Sequence, residues 1–221
     1  MNNLFSIFDP ASSSLNLCWM LMLALPILLV NQIWTSNTPV LSMTQKTLNF
    51  LLKEVAFTLK KTKKSELAYL ISLFTFILIM NATALFPQVF SLTSHLVITL
   101  PLAVTSWLLI NLFGWVKNTN HMLAHLVPQG TPVALMSFMV LIEMTSSIIR
   151  PITLCVRLTA NMIAGHLLMT LLGNALMNVN AALSVTLIAV PLILTVLETA
   201  VAFIQSYVFM TLITLYVTEV K

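Results

Sequence analysis

The sequence predicts an all-α polytopic membrane protein: about five membrane helices plus one amphipathic surface helix, the last two membrane helices forming a long tilted hairpin. Three observations predict it. Only 7% of the 221 residues are charged and 59% are hydrophobic, whereas roughly a quarter of a soluble domain is charged. So few charges cannot cover a water-facing surface, and a mean hydropathy of +1.00 is far too high for a disordered chain. The apolar residues also fall in runs of about twenty or more, the length that crosses a hydrocarbon core ~30 Å thick as helix. Finally, the basic residues are concentrated, six of the ten being Lys46, Lys53, Lys60, Lys61, Lys63 and Lys64. Residues 1–221 read as a single membrane domain.

Residues 15–34 form the first crossing, with Pro26 inside it and Trp19 and Trp34 near its ends. No basic residue precedes the first apolar run, and no small-residue cleavage site follows a short apolar core. The start is therefore read as neither a cleavable signal nor a transit peptide, and the chain enters the membrane through its own helices. Residues 40–66 form the amphipathic surface segment. Leu48, Leu51, Leu52, Val55 and Leu59 share one helical face, and Lys46, Lys53 and Lys60 lie opposite. Residues 67–117 hold two crossings, at 67–89 and 96–116, the second closing at Trp115 and Lys117. Residues 132–218 form the hairpin. Its two apolar patterns, 132–177 and 181–218, would each be ~55–70 Å long as helix, about twice the bilayer core. Two crossings in each would need a tight apolar turn at the midpoint, so each is read as one tilted, bent helix, with the turn at 173–180.

The lysine-rich segment belongs on the positive, inner side of the bilayer. Counting crossings from it puts the N-terminus outside, the loop 118–131 inside and the C-terminus inside. A basic patch this short between apolar segments argues for a membrane surface rather than nucleic acid. Cys18 and Cys155 lie far apart with no CxxC, so no disulfide framework or metal site is indicated. Thirteen methionines with scarce charge suit a chain made inside a mitochondrion.

Ionisable groups inside a bilayer are costly and mark function. Here they cluster. Glu143, Arg150 and Arg157 recur every seven residues on one stripe of the first long helix, and Asn161 extends it. His166 follows Arg157 by nine residues, which turns it to the opposite side ~13 Å further along. The second long helix carries Glu198 and Gln205, again seven apart. An arginine stays charged even when buried, so Arg157 attracts carboxylates and blocks a continuous proton wire. Glu143, Glu198 and His166 can exchange protons. The set thus places exchangeable groups on both sides of one fixed cation, as two separated half-channels require. The competing interpretation of any one of these residues is hydrogen-bond glue between helices, but that does not account for the whole set. Asn81-Ala-Thr83 matches a glycosylation pattern by chance, since it sits in a crossing, and His95, His121 and His125 are read as solvated.

The stretch IRPITLCVRLTANMIAGH at 149–166 resembles the signature of subunit a of the F-type ATP synthase in its mitochondrial form, and 197–209 resembles that family's final helix. The resemblance implies a non-catalytic proton-channel stator subunit of the membrane sector, with the ATP chemistry on other subunits. Arg157 then matches the essential arginine facing the carboxylates of a rotating c-ring. Asn161 and Gln205 match polar residues around it, His166 and Glu198 the pair of the outer half-channel, and Glu143 an acid of the inner one. Implied partners are the c-ring, peripheral-stalk and other small membrane subunits, and the lipid bilayer, with no nucleic acid; dimers of the synthase are compatible with this reading. The implied location is the mitochondrial inner membrane, with the N-terminus in the intermembrane space and the C-terminus in the matrix. No cofactor and no metal are expected, and Arg150 has no assigned role. The rival classes fit less well. A haem or quinone subunit would want paired histidines on facing helices, a secondary transporter an internal repeat, and a passive anchor would not need the buried charges.

Overall fold

The computed structural model describes residues 8–9, 39–59, 64–86, 89–127, 132, 135–177 and 181–220. The expected first crossing at 15–34 lies outside them, as do Lys60, Lys61 and Lys63 and the tip of the hairpin at 178–180. The described elements are helical: α1 (Pro39–Thr58), α2 (Lys64–Ala84), a buried single turn of 3-10 helix (Leu92–Ser94), α3 (Leu96–Lys117), α4 (Thr119–His125), α5 (Met136–Met177) and α6 (Ala181–Val220). Four of them contain stretches long and apolar enough to cross a membrane: Ser65–Ala84, Leu96–Lys117, Met136–Ala175 and Ala189–Val220.

α1 is the amphipathic helix. Val55 and Leu59 are buried and Leu51 packs beside them, whereas Lys46 and Lys53 are exposed. This face settles on α2 and α6. The helix of the second crossing differs from the expected 67–89. It starts at Lys64, because Lys, Ser and Glu are good or tolerable helix formers and carry the helix past the apolar run. It ends at Ala84, because Pro87 disfavours helical backbone at the residue before it. Residues 118–131, expected to be a loop, contain the short helix α4, which apolar periodicity did not signal.

The two long arms contain 42 and 40 residues, so each extends ~60 Å. They run antiparallel, as three contacts show: Arg150 meets Glu219, Asn161 meets Gln205 and Gly165 meets Glu198. α2 packs against α6, and α3 against both α5 and α6. The shared core joins Leu70, Phe74 and Ile77 of α2 to Leu154 and Leu158 of α5 and to Phe209, Met210 and Ile213 of α6. Lipid supplies no hydrophobic force between helices, so close packing of small residues has to do so. Ala103, Ser106 and Gly114 of α3 and Ala202 and Ser206 of α6 are accordingly buried. Hydroxyls in the crossings return to carbonyls three or four residues back, as Ser106 does to Ala103 and Ser206 to Phe203, which keeps polar groups paired away from water.

Candidate functional site

Among the described residues, two cavities are walled by both arms of the hairpin, one toward each end. The first holds about 200 Å³. Its walls are mostly apolar, but Asn81 of α2, Asn161 and His166 of α5, and Glu198 and Gln205 of α6 all face it. Asn161 Nδ2 donates to Gln205 Oε1 at 3.0 Å, crossing from arm to arm. His166 is half-buried, and its ring meets Phe8 edge-on at 6.2 Å. Gly165 makes room for Glu198: a methyl group at Gly165 would stand 2.6 Å from Glu198 Oε1. Among the described residues, His166 Nε2, Glu198 Oε1 and both amide atoms of Asn81 are buried without a hydrogen-bond partner. Buried polar atoms of this kind normally bind protein or water, so they form a set of water-binding positions inside a narrow cavity.

The second cavity holds about 480 Å³ and is lined by Glu143, Ser147 and Arg150 of α5, Tyr216 and Glu219 of α6, and Asn111 of α3, among others. The Arg150 guanidinium donates from Nη1 to Glu219 Oε2, approaches Glu143 Oε1 at 3.8 Å through Nη2, and lies over the Tyr216 ring at 5.2 Å. Pro151 has no N–H, so the Ser147 carbonyl lacks its helical donor on this stretch of α5.

Arg157 lies between the two cavities along α5 and lines neither of them. Its side chain is exposed, and it forms no ion pair among the described residues. Seven residues fall short of two full turns, so a heptad stripe drifts ~20° each time. That drift is small, and it leaves Glu143 and Arg150 on the wall of the second cavity while Arg157, further along the arm, is exposed and off that wall. Glu143 and His166 are ~35 Å apart along α5, close to the thickness of a bilayer core.

The structure thus gathers Asn161, His166, Glu198 and Gln205 at one end, places Glu143 at the other, and leaves Arg157 between them without an ion pair among the described residues. Asn81, Arg150, Tyr216 and Glu219 were not singled out as functional by the sequence. Asn81 was visible as a polar residue in mid-crossing; Glu219 lies just past the apolar run that ends at 218. His95, expected to be solvated, is half-buried and stacked on Phe90 with ring centroids 5.0 Å apart.

The ATP synthase A chain family profile matches residues 14–218. The chain belongs to this family. It is 48% identical to ATP synthase subunit a of Drosophila mauritiana over 100% of both chains. It is 46% identical to that of Locusta migratoria, over 100% of this chain and 99% of the relative. The corresponding protein of Artemia franciscana is 47% identical, over 99% of this chain and 100% of its own length. As a member of the A chain family, the protein is the proton-conducting subunit of the synthase membrane sector and works in a complex with the c-ring and other subunits. Proton transport and ATP synthesis follow from that membership.

Proposed function

We propose that the two cavities are the half-channels through which protons reach and leave the c-ring, with Arg157 as the barrier between them. The observation that carries this reading is the order along α5: an acid-lined cavity, then an exposed arginine that lines neither cavity, then a second cavity with His166 and Glu198. A proton enters from the outer side past Glu198 and His166, helped by Asn81, Asn161 and Gln205, and neutralises a ring carboxylate. The neutral site can then turn through lipid at little cost, since it is the charged form that is expensive there. On reaching the inner cavity it loses its proton toward Glu143. Arg157 remains charged, pairs with each ionised carboxylate as it passes, and repels protons that would leak straight across.

The lysine-bearing α1 and the crossing count support a placement in the mitochondrial inner membrane with the N-terminus in the intermembrane space and the C-terminus in the matrix. The exposed apolar face of both arms around Arg157 suits the c-ring; peripheral-stalk subunits and a second synthase would have to meet the chain elsewhere. One charge crossing 100 mV is worth ~2.3 kcal/mol, so a leak would be costly. Arg157→Ala should abolish proton-driven ATP synthesis while the complex still assembles, as read by native separation and synthesis assays on membrane vesicles. Normal coupled synthesis in that variant would refute the role.

A further inference from the structure

Arg150 is the charged group that the half-channel reading leaves without a task. We propose that Arg150 is a positioning residue of the inner cavity: it holds Glu219 as a standing counter-ion, and so leaves Glu143 as the acid that takes and releases protons there. The proposal rests on the half-channel reading and deepens it.

The geometry separates the two acids. Glu219 is in direct hydrogen-bonded contact with Nη1, whereas Glu143 stands 3.8 Å from Nη2, beyond hydrogen-bond length. The Tyr216 ring, 5.2 Å below the guanidinium, fixes its plane and faces it with π-electron density. Two carboxylates share one permanent cation, leaving one unit of negative charge. That charge falls on the carboxylate held less closely. Among the described residues lining the cavity, α3 contributes Trp107, Asn111 and Trp115 and α4 Met122, none of them charged, and the next cation along α5, Arg157, acts electrostatically on Tyr216. Lys117, at the end of α3, lies over the Phe113 ring instead. Arg150 and Glu219 also join the inner ends of α5 and α6, so the tie sets the width of the cavity mouth.

The test uses the intact synthase in membrane vesicles, with proton flux followed as a function of inner-side pH. In Arg150→Gln the cation beside both acids is missing, so half-maximal flux should require an inner side about one unit more alkaline. In Glu219→Gln, Arg150 is free to close on Glu143, and the profile should move about one unit the other way. Arg150→Lys keeps the charge but loses the fork, and should lie between wild type and Arg150→Gln. A structural tie alone would lower the amount of complex without opposite shifts. If Arg150→Gln fails to assemble, Glu219→Gln and Arg150→Lys carry the test. Unmoved profiles, or shifts in the same direction, in assembled complexes would overturn the proposal. If Arg157→Ala is inactive in the same vesicles, only the role of Arg150 falls; if it synthesises ATP normally, the half-channel reading falls with it.

Discussion

Gly165 decides where the Glu198 carboxylate can sit. The side of α5 at Gly165 is bare backbone, and Glu198 Oε1 occupies the space a methyl group would need, at 2.6 Å. Ala is the better helix former by about 1 kcal/mol, and a carboxylate at the end of a flexible side chain can move aside. Gly165→Ala should therefore assemble normally yet displace the acid from the outer cavity. We expect the rate of proton uptake into the cavity that holds Glu198 to fall, by up to about a hundredfold for a displacement near 1 Å, with the amount of complex unchanged. Unaltered uptake would show that the position of Glu198 is not critical. The glycine itself was legible in the sequence only as part of a motif. Its reason, the approach of a side chain from 33 positions further along, required the packed arms.

At the scale of elements, the end of α6 reaches the core because α3 presents Gly114. A Cβ there would meet Val220 Cγ1 at 2.5 Å and Met122 Sδ at 3.1 Å. Gly114→Leu must push α6 or α4 away, and overpacking of this kind costs about 1–3 kcal/mol. The expected result is a complex that dissociates at lower temperature in native separation; equal thermal stability would mean that α6 does not need this contact. Most elements were legible from apolar run length and period. The α1 face of Leu48, Leu51, Leu52, Val55 and Leu59 is the face that turns inward, and both hairpin arms are continuous helices through Pro151 and Pro191. Boundaries were less legible. Lys64 and Glu66 were read as the end of the surface segment 40–66, but they belong to the membrane-crossing helix, which their helix propensity allows. Residues 85–89 looked like membrane helix because they are apolar, although the helix stops at Ala84, short of Pro87, which disfavours helical backbone at the residue before it. α4 carries no apolar stripe, so nothing in its seven residues announced it.

At the scale of the whole molecule, the proposed mechanism depends on two cavities on one hairpin, each carrying a few polar groups, that do not join. The sequence revealed the members of the outer cavity on α5 and α6 because each lies in an apolar run, where any polar residue stands out. It did not reveal Asn81 as a member, since its role depends on how α2 packs against α6. Nor did it reveal Glu219, which meets Arg150 only because the arms run antiparallel. The central claim is that the cavities open to opposite sides of the membrane with Arg157 between them. The most direct test is side-specific labelling. With Cys18 and Cys155 replaced, Val201→Cys would report on the outer cavity and Ser147→Cys on the inner one. A membrane-impermeant thiol reagent applied separately to each face of sealed vesicles should label Val201→Cys only from the outer face and Ser147→Cys only from the inner face. Labelling of both from the same face would contradict the account.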